Sequence, residues 1–373
     1  MPDAGPIIVY TGNMFEAGGS EEPALALRIA QALHGLGAIE AFGSLACGGD
    51  ILIAEQMLAR GGALHVVLPF SESDFIAQSV LCGGEEWMDR YTACRNAAAS
   101  LHFSTPGAYV DDDNQFAYAT RLAMGLAVLR ARETGGDAVQ LAIHTSGAAS
   151  FSPTGLAGTA ADARAWERLG KRTVTIDPGE IGRNLRFPPH LPPSVGATRE
   201  IRSILFADYK GFSAVGEGEL PKFMREVMGR VGETLDGFEA HIEFRNTWGD
   251  ALYAIVDRPE IAAAVALALQ KRLAESPFAL ARTDAGMRIG LHYGPVWHGD
   301  DRVTGLPLWY GGEVNRTARI EPVTPVGGVY CTETFAAALL LEGGDCRIIP
   351  VGRKSLAKGF GEVVLYQLED DAS

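Results

Sequence analysis

Through its first half the chain alternates short apolar runs with amphipathic stretches. Strand-like runs stand at Ile7–Tyr10, Ile39–Leu45, Ala63–Pro69, Ser100–Ser104, Val139–His144 and Thr173–Asp177. Helical patterns lie between them, around 22–36, 49–60, 84–99, 114–133 and 160–169. Near-continuous apolar strands alternating with helices predict a parallel sheet covered on both faces. The expected fold is α/β: a doubly wound, Rossmann-like domain whose ligand crevice sits at the carboxyl ends of the strands. Thr159 and Asp162 read as a capping box for the last of these helices.

The second half has a different rhythm. Ile201–Ala207 is an apolar strand, and a helix is expected over 217–236. Two strands, 239–246 and 250–256, meet at Trp248-Gly249, and a second helix covers 259–274. Arg288–Tyr293 is another strand, Glu313–Ile320 begins a helix, and Val329–Cys331, 346–350 and 362–368 read as further strands. Strands joined by both helices and hairpins predict an α+β domain with a mixed or antiparallel sheet. The two rhythms meet at 186–198, RFPPHLPPSVGAT, where four prolines can neither continue a helix nor sit inside a sheet. This divides the chain into domains at 1–185 and 199–369, with 186–198 as the linker. At roughly 100–200 residues per domain, 373 residues fit that division.

Composition narrows the classes. Apolar residues make up 47% and charged residues 21%, the profile of folded globular protein rather than disorder. The net charge of −14 argues against a broad surface for nucleic acid or anionic membrane, while leaving room for local positive charge in a pocket. Five widely spaced cysteines, Cys47, Cys82, Cys94, Cys331 and Cys346, contain no CxxC pair, so neither a disulfide framework nor a structural zinc site is expected. The start, MPDAGPIIVYTG, lacks the pattern of a signal peptide, and the longest Ala/Leu-rich runs are too short to cross a bilayer. The expected location is the reducing cytoplasm, with neither nucleic acid nor membrane as partner.

Two acidic residues carry the candidate chemistry of the second half. Ile204-Leu205-Phe206-Ala207 ends at Asp208, ahead of Tyr209-Lys210-Gly211-Phe212-Ser213. A carboxylate at a strand end before a glycine-containing turn suits a metal–phosphate complex; alternatively it caps a helix. Asp250 closes Asn246-Thr247-Trp248-Gly249-Asp250 between two apolar strands, where Gly-Asp is also ordinary turn chemistry. An adjacent strand could set it beside Asp208, and two carboxylates sharing a site repel unless a cation neutralises them.

ILFADYKGFS, NTWGDALYAI, RIGLHYGPVWHG and GGEVNRTARIE follow in this order and at these spacings. Together they resemble the class III nucleotidyl cyclase catalytic domain, over nearly all of 199–369. The resemblance implies that Asp208 and Asp250 hold two Mg²⁺ or Mn²⁺ ions. It makes Lys210, Gly211, Phe212 and Ser213 a cradle for the phosphates, and Lys358 a contact to the terminal phosphates. Asn315 would orient the ribose, and Arg319 would stabilise charge on the transferring phosphorus. On a helix, Asn315 and Arg319 would project from one face, and an arginine fork suits phosphate oxygens. The plainer alternatives are a solvated Arg319 paired locally with Glu321, and a surface Lys358. In this family one domain supplies the aspartates and its mate the asparagine and arginine, so a homodimer with shared sites is implied and the monomer should be inactive. The implied reaction converts a nucleoside triphosphate to a 3′,5′-cyclic nucleotide and pyrophosphate.

Two positions depart from the family's base-selecting pattern, with Asn246 and Leu308 where its selecting side chains usually stand. Asn246 can donate or accept, and Leu308 can do neither. ATP is the expected substrate, with other bases open. His292 and His298 flank a Gly294-Pro295 turn and are expected at a strand edge or on the surface.

In the first half, Gly43-Ser44-Leu45-Ala46-Cys47-Gly48-Gly49-Asp50 joins a strand to a helix, a place where a phosphate can be cradled. With AEQMLARGGALHVVLPF after it, the segment resembles SLOG/LOG-like Rossmann domains, which implies a small nucleotide-type ligand near Gly43, Gly48, Gly49 and Asp50. Thr11-Gly12 and Gly158-Thr159 are further crevice candidates; ordinary βα-turn chemistry is the alternative for all of them. Asp111–Asp113 reads as a solvated loop whose charge favours the next helix rather than as a metal cluster, and Cys47 as a packing residue. For the whole chain the alternative is a non-catalytic cyclase-like module that dimerises, binds nucleotide and regulates an N-terminal enzyme.

Overall fold

A computed structural model describes residues 5–110, 112–145, 157–183, 198–276, 278 and 285–370. The chain divides into two compact units, Met1–Val195 and Gly196–Ser373. The expected linker falls almost wholly at 184–197, outside the described residues.

The N-terminal unit is built on six parallel strands, β1 (Ile7–Gly12), β2 (Glu40–Gly43), β3 (Ala63–Leu68), β4 (Ser100–Phe103), β5 (Ala138–Ile143) and β6 (Thr173–Ile176), in the order β4-β3-β2-β1-β5-β6. Every position of β1 and β5 is buried, as central strands covered on both faces require. Helices Glu22–Leu36, Gly49–Ala59, Glu86–Ala97, Asn114–Thr134 and Thr159–Arg168 supply the cover. Strand order reverses between β1 and β5, so their carboxyl ends flank the crevice where such folds bind ligands.

The C-terminal unit contains β7 (Thr198–Lys210), β8 (Ile242–Trp248), β9 (Ala251–Val256), β10 (Gly286–Asp300), β11 (Pro307–Tyr310), β12 (Val329–Thr332), β13 (Arg347–Leu356) and β14 (Gly361–Glu369). The order is β13-β14-β12-β10-β7-β9-β8, with β11 paired to β10; among the described residues only β10 and β12 run parallel. Successive side chains on β7 point to opposite faces. Leu205, Ala207 and Tyr209 are buried, and Tyr209 packs edge-on against Phe223 of the helical run 220–236, which together with Pro259–Ala274 covers that face. Ile204 and Phe206 face the other way, into a smaller cluster with Val296, Trp309, Tyr253 and Val314. Asp208 continues this second series.

Four local expectations need correction. Gly294 and Pro295 form no turn; they lie inside β10, opposite Arg202 and Ile201. The helix at Glu313–Ile320 is shorter, Gly312–Thr317, and Arg319 stands in the turn beyond it. Thr159 forms no capping box: Gly158 is the N-cap without a side-chain bond, and Asp162 instead accepts a hydrogen bond from Thr11 Oγ1 at 3.0 Å. Asp111 lies outside the described residues, and Asp113 is buried rather than solvated.

Candidate active site

Antiparallel register brings the two sequence-predicted aspartates together. β7 pairs with β9 up to Ala207 opposite Leu252, and the β8–β9 turn is Gly249-Asp250, with Gly249 at φ +64°. The next residue on β7 is Asp208, so its carboxylate meets that of Asp250. Burial raises the Asp250 pKa, and the charge of Asp208 raises it further. The pair offers oxygen donors only, and each carboxylate increases the other's need for a counter-charge. That is the donor set of a hard divalent cation such as Mg²⁺ or Mn²⁺. Among the described residues no group of three or more His, Cys, Asp or Glu side chains is arranged to hold a metal, so the candidate is this pair.

Sequence reasoning missed the neighbours of the pair. Arg288 stands directly across from Asp208 in the β7–β10 register, and its Nη2 donates to Asp208 Oδ2 at 2.9 Å. The same Nη2 lies 2.6 Å from Glu321 Oε1. Glu321 is therefore the partner of Arg288, not of Arg319. Burial pushes the Glu321 carboxyl up to about 7; Arg288 opposes the rise, while Asp208 and Asp250 add to it. The spacing of carboxylates along the chain gives no hint of this group, which forms where the β7–β10 register sets Arg288 beside Asp208 and the Glu321–Val323 turn packs against β10.

The turn after β7 follows at once. Lys210 is exposed, and Gly211 adopts φ +99°, a left-handed conformation that a side chain would strain. A Cβ there would also lie 3.1 Å from that of Ala285. Phe212–Ala214 form one 3₁₀ turn, and the Ser213 side chain is exposed.

Asn315 and Arg319 are held elsewhere. The helix Gly312–Thr317 docks through Glu313, whose Oε2 lies 2.9 Å from His292 Nε2. His292 Nδ1 lies 2.9 Å from Thr332 Oγ1. Both His292 and Glu313 are buried, so His292 sits neither at an edge nor on the surface. Gly294 makes room for this contact: a Cβ there would stand 2.8 Å from His292 Nε2. Burial favours the neutral Glu313, but His292, Arg316 and Arg199 overcome it and hold the carboxyl below its usual range. His292 is four residues beyond Arg288 on β10, about 14 Å along the strand. Asn315 is exposed, and the half-buried Arg319 has an Nε without a partner. The structure thus joins Asp208 to Asp250 but gives neither a side-chain bond to Asn315 or Arg319.

The remaining candidates lie apart. Lys358 occupies the β13–β14 turn with φ +61°, and the flanking Leu356 and Phe360 pack with Ile320, the residue after Arg319. Asn246 is exposed on β8, and its Oδ1 accepts from the Thr247 amide at 2.8 Å. Leu308 is half-buried on β11 opposite Gly299.

In the N-terminal unit the glycine-rich turn is tightly packed. A Cβ on Gly49 would lie 2.7 Å from Gly12 Cα, and the Gly49 amide donates to Asn13 O at 2.9 Å. Gly48 has φ +92° against Phe15, and a Cβ on Gly43 would meet the Tyr10 ring at 2.6 Å. Asp50 turns its own carboxylate back on this turn: Oδ2 accepts from Ser44 Oγ at 2.6 Å and the Ala46 amide at 3.4 Å. Burial lifts Asp50 to about 6 and Asp162, which feels the charge of Asp50, to about 7. Cys47 is buried with its Sγ 3.7 Å from that of Cys82, and that contact and burial hold its thiol protonated.

Comparison with known proteins bears on the C-terminal unit. A family model described as the adenylate and guanylate cyclase catalytic domain matches residues 197–370. No curated protein matches the chain. Similar solved structures include the adenylyl cyclase CyaB from P. aeruginosa, 15% identical over 47% of this chain and 97% of that one, with a TM-score of 0.40. They also include the guanylyl cyclase Cya2, 21% identical over 47% and 95%, with a TM-score of 0.41. A third is the guanylate cyclase domain of RhGC from Catenaria anguillulae in complex with GTP, 19% identical over 46% and 98%, with a TM-score of 0.39. The family match begins at residue 197, and no comparison confirms the SLOG/LOG-like resemblance expected for the first half. Residues 197–370 are a class III nucleotidyl cyclase catalytic domain, identified by a family match that spans the strand-end carboxylates, the Gly211 turn and the Asn315–Arg319 segment alike.

Proposed function

We propose that the protein is a nucleotidyl cyclase that uses a divalent metal, Mg²⁺ or Mn²⁺, to convert a nucleoside triphosphate to its 3′,5′-cyclic nucleotide and pyrophosphate. The observation that carries this is the meeting of Asp208 and Asp250, read with the family match over both. A divalent cation bound there supplies neutralisation of the triphosphate and acidification of the attacking 3′-hydroxyl. The chain's own part is binding and orientation. Asp208 and Asp250 anchor the charged end, and the Lys210–Ser213 turn and Lys358 receive phosphate oxygens. Asn315 orients the ribose, and the Arg319 fork stabilises charge at the phosphorus. Class III cyclase domains often form dimers, and the separation of the Asn315 helix from Asp208 along β10 supports a site completed by the mate's Asn315 and Arg319. ATP is the proposed substrate, with Asn246 and Leu308 facing the base.

The N-terminal unit is proposed as a sensor that takes a small nucleotide-type ligand at the β1/β5 crevice, beside Gly43, Gly48, Gly49 and Asp50. Its support is that Gly49 packs on Gly12 at the end of β1, beside the switch point of the sheet.

The test supplies the full chain and Mn²⁺ or Mg²⁺ with ATP, GTP, CTP or UTP and identifies products by mass. A cyclic nucleotide that disappears in Asp208→Ala and Asp250→Ala is the expected result. Four unreacted triphosphates from a folded protein would remove the proposal and favour the non-catalytic module.

A further inference from the structure

Arg288 touches Asp208 and Glu321 through one nitrogen, Nη2, at 2.9 Å and 2.6 Å. Its side chain is 19% exposed and that of Glu321 11%, whereas Asp208 is open to 32%. The guanidinium therefore has two anionic partners: Asp208, which accepts its hydrogen bond and faces the site, and the enclosed Glu321, whose Oε1 is an ion-pair partner without a hydrogen bond. A metal cation and Arg288 want the same Asp208 oxygens, and two like charges cannot share them at close range without repulsion.

Resting on the metal-site reading of Asp208 and Asp250, we infer that Arg288 is the internal counter-ion of Asp208 and competes with an incoming divalent cation, while Glu321 is the alternative ion-pair partner that holds the guanidinium aside. Arg288 and Glu321 are positioning residues; neither touches the reacting atoms. The geometry needs only a small motion. Asp208 and Arg288 are fixed across from each other by strand register, and Glu321 begins the 3₁₀ turn Glu321–Val323, so Nη2 can give up one oxygen without leaving the other. A Cβ on Gly290 would lie 3.0 Å from the Glu321 amide, so the turn is pressed close to β10 and Glu321 is held within reach. The site thereby exchanges one positive charge for another instead of exposing a bare pair of aspartates.

The inference predicts opposite effects from removing the two partners. The full chain, without nucleotide, is titrated with Mn²⁺ and free Mn²⁺ is read by electron paramagnetic resonance. Arg288→Gln removes the competitor and should tighten Mn²⁺ binding roughly fivefold, the size expected of one partly exposed ion pair. Glu321→Gln leaves Arg288 devoted to Asp208 and should weaken binding by a similar factor. The double variant separates this from a general change in field: with Arg288 gone, Glu321→Gln should have almost no further effect. Additive effects in the double variant, or a loss of affinity in both single variants, would overturn the inference. Circular dichroism checks folding. Should Arg288→Gln fail to fold, Arg288→Lys, which retains the charge on a single ammonium, should give a smaller tightening, and unchanged or weaker binding would count against the inference. Asp208→Asn tests the underlying reading separately: Mn²⁺ bound to it as to the parent would remove the metal site itself, whatever Arg288 does.

Discussion

Each unit carries a close pair of aspartates, Asp50 and Asp162 in the first turns of two helices and Asp208 and Asp250 at a strand end and a hairpin turn, and the two pairs solve the same electrostatic problem differently. Asp50 and Asp162 are enclosed, with neutral donors around them: Ser44 and the Ala46 amide for one, Thr11 for the other. Burial lifts both toward neutrality, opposed mainly by these hydrogen bonds. Asp208 and Asp250 are partly open, and an arginine leans on the first. A buried pair can keep a proton; in a more open pair each carboxylate raises the cost of ionising the other, and the pair calls for a cation. Acid pairs that look alike along a sequence thus differ in kind once burial is known.

The largest expected effect falls on the open pair. Asp208→Ala or Asp250→Ala should reduce cyclase turnover by about 10³-fold or more, since charge neutralisation at phosphorus is worth several kcal/mol. Arg319→Ala should lose about 10³-fold with little change in melting temperature, as its Nε makes no bond in the folded chain. Steady-state rates beside calorimetry check both.

Next comes the support beneath Asn315. Glu313→Gln removes a buried carboxylate held by His292 and Arg316 and should cost the C-terminal unit about 3 kcal/mol in denaturant unfolding. Glu313 is held below its usual pKa, so the parent should lose this contribution as pH falls through that folded value, and the variant should not.

The enclosed pair predicts the opposite pH trend. Asp50 and Asp162 titrate near 6 and 7 when folded and near 4 when unfolded. Between about pH 4 and pH 7 the native state holds protons that the unfolded state has shed, so stability falls as pH rises through that window. Asp162→Asn should therefore raise the melting temperature of the N-terminal unit by a few degrees at pH 8 and leave it nearly unchanged at pH 4. Equal shifts at both pH values would mean that the pair is not protonated in the way its burial implies. The smallest effect is expected for Lys358→Ala, a few-fold rise in KM for the triphosphate with turnover retained, because the residue sits on an exposed hairpin turn.

The N-terminal sheet was legible because strands buried on both faces are written as apolar runs, and all six runs appear as strands. The segment 72–83 was not, since it winds through short α, π and 3₁₀ turns with no single period. Pro295 misled for a physical reason. Among the described residues, β12 pairs with β10 only to Leu291 and β11 only from Trp297, so β10 has a single neighbour at Pro295 and a missing N–H does little harm. Asp208 and Asp250 could be read from their strand-end and turn positions. Arg288 and Glu321 could not: one looks like a polar strand residue and the other like a helix-surface acid, and they meet only because the β7–β10 register sets Arg288 beside Asp208 and the turn at Glu321 packs against β10.

The central claim is that the Asp208–Asp250 pair and the Asn315–Arg319 pair work together across two copies of the chain. The most direct measurement mixes Asp250→Ala and Arg319→Ala chains, each inactive alone, and assays cyclic nucleotide formation. In a heterodimer one site collects both lesions and the other none, so the mixture should recover about one quarter of the parental rate. No recovery from heterodimers verified by mass would contradict the claim.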